Sequence, residues 1–239
     1  MTVTATTPTF TGEFFVPGKA DARMEADHVE RYRFACQLAA DKSVLDIACG
    51  IGYAAPMYLQ AGATDYLGVD LNPEVLQAAK DNYSSEKACY LIGDITQFEC
   101  GRQFDLISCF ETIEHVPDFR GALANLFQLL KPGGVLLVSS PNRPVTSPSA
   151  RSLSDKPENP FHTQEFTPPE LIAELRAAGF DASLENTYGQ RQSQMPSNRF
   201  LKAVYKATVG NPKKKASPEV TPLKTRSPRY FLIRATRPE

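Results

Sequence analysis

The chain reads as an α/β protein, a largely parallel sheet with helices packed on both of its faces. Three observations point there. Short apolar runs recur between Val44 and Ser139, and segments of helical periodicity separate them. The first run opens into a glycine turn, Cys49-Gly50-Ile51-Gly52-Tyr53, directly ahead of a helical stretch. The 239 residues, 42% hydrophobic and 22% charged, suffice to bury one sizeable core.

Residues 1–12 are rich in Thr and read as a frayed tail. Asp27 to Ala40 predicts an amphipathic helix, with Val29, Tyr32, Phe34, Ala35 and Leu38 among its apolar positions. The first strand is Val44–Ala48, and a helix follows from Ala54 to Gln60. Tyr66–Val69 makes a second strand that ends at Asp70. Asn72 as N-cap and Pro73 at the first helical position open a helix running to Tyr83. Cys89–Ile92 and Phe104–Cys109 are the third and fourth strands, and a helix spans Asp118 to Leu130. Lys131-Pro132-Gly133-Gly134 is a turn into the fifth strand, Val135–Ser139. Runs this short and this apolar belong to parallel strands covered on both faces, joined by right-handed crossovers.

After Pro141 the texture changes. Residues 141–160 are rich in Pro, Ser, Asn and Arg and form a long irregular loop, of a length that usually carries function. Thr167-Pro168-Pro169-Glu170 caps a helix to Ala178, closed by Gly179. Asp181–Tyr188 and Tyr230–Thr236 read as two further strands. Between them fall a helix near Asn198–Thr208 and a Lys/Pro/Ser linker at 211–228, whose Lys213–Lys215 run reads as solvated loop.

A net charge of −1 gives no global field to recruit nucleic acid or a membrane surface. The Lys206, Lys213–Lys215, Lys224, Arg226 and Arg229 cluster is modest beside the basic, aromatic groove an RNA partner needs. The N-terminus lacks a basic n-region and an apolar core, and no apolar run approaches a membrane span. Five scattered cysteines without a CxxC pair read as reduced thiols of a cytoplasmic protein.

Glycine between a strand and a helix lets backbone approach a ligand and leaves helix N–H groups free for it. Gly50-Ile51-Gly52-Tyr53-Ala54-Ala55 fits the GxGxxG/A form of a dinucleotide fingerprint, and Asp70, twenty residues past Gly50, suits ribose hydroxyls. On these residues alone NAD and S-adenosylmethionine are close competitors. Asp46, within the first strand, would repel a pyrophosphate and favour a cationic ammonium or sulfonium. The alternative is that it hydrogen-bonds the turn. Asp94 suits an adenine amino group, with the Ile95 N–H to the ring, or else it caps its own turn.

The blocks VLDIACGIGY, GVDLNPEVL, YLIGDI, FDLISCFETIEHVPD, LLKPGG and VLLVSSPNR, in that order across residues 43–143, resemble the class I S-adenosylmethionine-dependent methyltransferases. The resemblance implies a Rossmann-like, seven-stranded, mostly parallel sheet with helices on both faces and an antiparallel last strand. It also implies a cofactor site of Asp46, Gly50, Gly52, Asp70, Leu71, Asp94, Ile95 and Phe110. Thr11–Pro17, His28–Phe34 and Asn159–Phe166 resemble a narrower group associated with sugar and polysaccharide modification. In that group the N-terminal segment covers the cofactor, so Arg31 or Tyr32 would meet the methionine carboxylate; otherwise Tyr32 is packed and Arg31 exposed. The expected organisation is a tail and lid helix at 1–40 and a methyltransferase domain at 41–239, with 144–166 and 189–228 as acceptor-side loops.

Glu111-Thr112-Ile113-Glu114-His115 follows the fourth strand at the ligand-binding edge. On a helical turn, positions 111, 114 and 115 would share a face and suit a divalent ion, with His162 completing the set. The pattern is similar to the ExxEH and distal histidine of small-RNA 2′-O-methyltransferases, and to the ExxEH of ubiquinone-pathway O-methyltransferases. In both, a divalent metal such as Mg²⁺ or Mn²⁺ orients the acceptor hydroxyl. The resemblance therefore implies Glu111, Glu114, His115 and His162 as ligands. Equally open is a catalytic set of His115, His162 and Glu111 with a histidine as general base, or a set that only braces the loops. The function expected is methyl transfer from S-adenosylmethionine to a hydroxyl of a small-molecule or glycosyl acceptor. N-methylation, RNA 2′-O-methylation, a non-catalytic cofactor-binding subunit and a nicotinamide dehydrogenase are the alternatives.

Overall fold

The structure, a computed structural model, describes residues 21–192, 216–223 and 228–239. The expected tail at 1–12, the Thr11–Pro17 segment, the helix near Asn198–Thr208 and the Lys213–Lys215 run lie outside the described residues.

Strands β1 (Ser43–Ile47), β2 (Asp65–Asp70), β3 (Ala88–Ile92), β4 (Phe104–Cys109), β5 (Leu130–Pro141), β6 (Thr187–Gln190), β7 (Thr221–Pro222) and β8 (Tyr230–Thr236) form one sheet in the order β3-β2-β1-β4-β5-β8-β6-β7. The five from β3 to β5 are parallel, and β8 runs antiparallel to both β5 and β6. The mostly parallel sheet and its antiparallel last strand match expectation, but there are eight strands rather than seven. The eighth is the two-residue β7, which pairs with β6 from a segment expected as linker. The strand expected over Asp181–Tyr188 shrinks to β6 at its C-terminal end. A turn at Leu184 closes onto Thr187, and Asp181 makes only a bridge to Thr236.

Helix α1 (Ala22–Cys36) starts five residues before the expected Asp27, because the Asp21 carboxylate caps the Arg23 and Met24 N–H groups. Helix α2 (Ala55–Gln60) leaves the glycine turn, and Asn72 caps α3 (Pro73–Tyr83) through the Glu74 and Val75 N–H groups. Helix α4 (Phe119–Leu129) joins β4 to β5. A short helix α5 (Arg143–Thr146) opens the loop expected to be irregular, and α6 (Pro168–Ala177) carries the expected Thr167–Glu170 capping box. No helix among the described residues is long and apolar enough to cross a membrane.

The core lies on both faces of the sheet, and β1 serves both. Leu45 and Ile47 pack with α4 and α6, through Leu123, Leu126, Leu171 and Leu175. Val44 packs on the opposite face with Tyr32, Tyr58 and Leu76 from α1, α2 and α3. Because strand residues alternate faces, Asp46 shares Val44's side and enters an aromatic cluster. The strand order reverses between β1 and β4, and the crevice beyond their carboxyl ends is the ligand position of such sheets.

Candidate functional site

The chain leaves β1 through a tight turn with three residues in the left-handed region, Ala48 (φ 57°), Gly50 (φ 57°) and Gly52 (φ 75°). The two glycines serve different ends. A Cβ on Gly52 would stand 2.6 Å from the Tyr90 ring and 2.9 Å from the Ala79 Cβ, so this glycine lets the turn pack on α3 and β3. A Cβ on Gly50 would meet nothing within 4 Å, because Gly50 faces a cavity.

Asp70, at the end of β2, accepts the Gly50 N–H at 2.9 Å on one oxygen and the Asn72 N–H at 3.0 Å on the other. It braces the turn as well as facing the cavity. Burial raises its pKa above the ordinary carboxylate value, against backbone hydrogen bonds from Asn72, Gly50 and Leu71. The cavity, about 880 Å³, is also walled by Arg31, Tyr32, Leu71 and Phe110. A second, about 450 Å³, holds Asp94 and Ile95 and adjoins the first through Ala48, Asp70, Leu71, Thr112 and His115. Leu71 is 62% exposed at this junction. Asp94 accepts the Thr96 N–H and hydroxyl on Oδ1, capping its own turn while it faces the smaller cavity.

Asp46 and Gly52 stand behind the wall rather than on it, which corrects their expected places. Asp46 is fully buried and accepts hydrogen bonds from the Tyr66 hydroxyl at 2.8 Å, the Ser108 hydroxyl at 2.6 Å and the Tyr32 hydroxyl at 3.1 Å. Burial pushes its pKa up to about 6, against the pull of those three bonds. Tyr32 therefore spends its hydroxyl on Asp46, and its ring meets Phe110 edge-on at 5.1 Å. Arg31 is buried, not exposed. Its Nη1 donates to Gln190 at 2.7 Å, and its guanidinium lies 5.4 Å over the Tyr230 ring.

The Glu/His segment forms a 3₁₀ turn, Ile113–His115, and Glu111 precedes it at φ 48°, so the expected shared helical face does not form. Glu111 falls outside the group of converging donor atoms formed by the other three. Its N–H donates to Ser139 Oγ at 3.0 Å, its carboxylate accepts the Ser139 hydroxyl at 2.7 Å, and Arg31 lies 3.9 Å away. Glu114, His115 and His162 do converge, with candidate donor atoms within 4.8 Å of one another. The two imidazoles meet edge-to-face at 4.8 Å. His115 Nδ1 lies 3.0 Å from the Phe161 carbonyl, and His162 Nδ1 lies 2.7 Å from Glu165. Because both partners are acceptors, both Nδ1 atoms carry a proton. His162 Nε2 takes a hydrogen bond from the Asn159 amide at 2.8 Å. Glu114 is 1% exposed, and neither of its oxygens has a partner among the described residues. Burial and the nearby Glu111 raise its pKa well above the ordinary value.

The loop carrying His162 is tied to the Glu114 turn. Thr163 donates its N–H and hydroxyl to the Glu114 carbonyl, and the Gln164 amide donates to the Ile113 and Val116 carbonyls. Sequence reasoning missed Glu165, Gln190, Tyr230 and His28. Glu165 stands three residues from His162 and His28 one helical turn before Arg31, so spacing could have found both. Burial, with Arg31 nearby, lowers the His28 pKa well below its ordinary value, keeping it neutral on the cavity wall.

A sheet reversing at β1 and β4, with a glycine turn, an acidic β2 end and an adjoining pair of cavities, defines a nucleotide-cofactor enzyme of the doubly wound α/β type. Residues 21–184 match the family model of a methyltransferase domain. A probable S-adenosylmethionine-dependent methyltransferase of Mycolicibacterium smegmatis is 32% identical over 181 residues, 75% of this chain and 67% of that protein. A ubiquinone biosynthesis O-methyltransferase of Pseudomonas fluorescens is 33% identical over 108 residues, so this chain spans only 46% of that relative's length and the match covers 44% of this chain. The N-methyltransferase NodS of Bradyrhizobium japonicum, solved with S-adenosyl-L-homocysteine, shares the fold at a TM-score of 0.61 and 18% identity, over 92% of this chain and 90% of that one. The chain belongs to the class I S-adenosylmethionine-dependent methyltransferases.

Proposed function

We propose that this enzyme transfers the methyl group of S-adenosylmethionine to a hydroxyl of a small-molecule or glycosyl acceptor. The observation that carries the reading is the His115–His162 pair on the cavity wall, each ring oriented by an acceptor at its Nδ1. Methyl transfer from a sulfonium needs in-line approach and exclusion of water, which a shaped cavity supplies. A hydroxyl must also lose its proton, and an imidazole nitrogen can take it. A neutral amine would need no such pair. The O-methyltransferase relatives and the Asn159–Phe166 segment support the same direction.

In this reading the adenine lies in the smaller cavity against Asp94 and Ile95, and the ribose hydroxyls on Asp70 beside Leu71. The methionine moiety passes Gly50 and Phe110 toward Arg31. Helix α1 acts as the lid of the 1–40 segment, and residues 144–166 and 189–228 shape the acceptor side. The five unpaired cysteines favour the cytoplasm.

A divalent ion is the second reading, favoured by the convergence of Glu114, His115 and His162 and by the unpartnered Glu114 oxygens. These residues fit Mg²⁺ or Mn²⁺: Glu165 would orient His162 from behind, as carboxylates orient metal-binding histidines, once Asn159 gives up Nε2. When bound, such an ion would polarise the acceptor hydroxyl. Glu111 lies outside this ligand set.

His115→Ala and His162→Ala decide the matter. Each is expected to lower turnover by about 100-fold or more, with S-adenosylhomocysteine affinity within about twofold of wild type. Loss of turnover on chelation, restored by Mg²⁺ or Mn²⁺, selects the metal; indifference to chelation selects the base. Near-wild-type rates in both variants would overturn O-methylation and move N-methylation ahead.

A further inference from the structure

Arg31 has a neighbour that decides where its charge points. The side chain is 2% exposed, lines the larger cavity, and leaves Nε without a hydrogen bond among the described residues. A buried guanidinium is planar and rigid, so fixing one corner fixes the direction of the rest. Here the fixed corner is Nη1, held at 2.7 Å by Gln190 Oε1. The plane rests over the Tyr230 ring, and Tyr230 is the cross-strand partner of Gln190 between β8 and β6. Side chains directly opposite on neighbouring strands share a sheet face, so one residue pair supplies both the hydrogen bond and the aromatic platform. The edge left over carries Nε and Nη2, the fork that takes a carboxylate with two parallel bonds.

Gln190 is itself over-determined. It is 2% exposed, and its Nε2 donates to the Asp27 carbonyl at 2.8 Å and the Pro218 carbonyl at 2.7 Å. The next residue, Arg191, sits at φ 54° and donates to the Asp27 carboxylate at 2.6 Å, which clasps α1 to the end of β6. A left-handed backbone at a non-glycine residue persists only where the surroundings demand it.

We propose that Gln190 is a positioning residue for the cofactor: it turns the Arg31 guanidinium so that its Nε edge meets the carboxylate of the methionine moiety. This rests on the reading that Arg31 takes that carboxylate. Gln190 lines neither cavity, and its effect runs through Arg31 alone.

The test compares two ligands by calorimetry. S-adenosylhomocysteine carries the carboxylate; 5′-methylthioadenosine has the same nucleoside and thioether but lacks it. Gln190→Met, close to isosteric and unable to hydrogen-bond, is expected to weaken S-adenosylhomocysteine about tenfold and leave methylthioadenosine within about twofold. Arg31→Met should weaken the first ligand at least as much, and the double variant no more than Arg31→Met alone. Gln190→Asn keeps a buried amide but withdraws it by one methylene, and must show the same split if Gln190→Met fails to fold. Equal loss for both ligands, or no loss for either, would overturn the positioning role. If Arg31→Met itself spares S-adenosylhomocysteine, the carboxylate assignment fails. If Arg31→Met loses that ligand while the Gln190 variants keep it, only the role of Gln190 fails.

Discussion

Adding one methyl group at each of the two glycines of the β1–α2 turn should separate binding from folding. Both glycines have left-handed backbones, and an alanine there costs roughly 1–2 kcal/mol. For Gly50→Ala that is the whole expected loss of stability, because its Cβ would meet nothing within 4 Å. The methyl would instead project from the cavity wall, into space proposed for the cofactor. Its S-adenosylhomocysteine affinity should fall by more than tenfold. Gly52→Ala carries a further term. Its Cβ would lie 2.6 Å from Tyr90 Cε1 and 2.8 Å from the Tyr90 hydroxyl, which also donates to the Gly52 carbonyl at 3.3 Å. Overpacking of this kind costs roughly 1–3 kcal/mol more, so Gly52→Ala should lose roughly 2–5 kcal/mol. Urea denaturation without ligand measures the stabilities, and calorimetry measures binding. Two results would refute the reasoning: a Gly50→Ala protein that binds S-adenosylhomocysteine like wild type, or a Gly52→Ala protein no less stable than Gly50→Ala.

Asp46 should make stability depend on pH. Its folded pKa is about 6, above the roughly 3.9 of an unfolded aspartate, so folding binds the proton more tightly and stability is lost as pH rises through this window. The loss is about 2 kcal/mol between pH 4 and 7, and Asp46→Asn should remove that part of the slope in urea titrations at several pH values; an unchanged slope would rule Asp46 out. Asp70→Ala should weaken S-adenosylhomocysteine by roughly 1.5–3 kcal/mol, through lost ribose bonds and a loosened Gly50 turn. Adenosine, which keeps the ribose, should lose affinity in parallel, and adenine alone should lose none.

Much of this protein was legible in its residues. Strand β4 and strand β8 fall at Phe104–Cys109 and Tyr230–Thr236 as read, because short, mostly apolar runs suit strands covered on both faces. Helix α3 starts where Asn72 and Pro73 say, since an N-cap acts through bonds within three residues. Gly50 and Asp70 meet on one cavity wall because parallel β1 and β2 end side by side.

Other features exist only in three dimensions. Strand β7 is two residues whose pairing depends on where β6 lies, and no periodicity marks it. Asp46 looked like a cofactor contact because of its place in the chain. Strand alternation and three hydroxyls from distant segments put it behind the wall instead. The Glu111-to-His115 spacing suggested one helical face. The left-handed Glu111 backbone and the 3₁₀ turn sent Glu111 to Ser139 and Arg31, while Glu114 and His115 turned to His162. Gln190 stands 159 residues from the Arg31 it orients, a contact that local sequence cannot encode. Propensity, capping and turn chemistry are local and can be read along the chain. Side-chain direction at a site joining α1, β5, β6 and a loop is fixed by packing among segments that meet only once the sheet has formed.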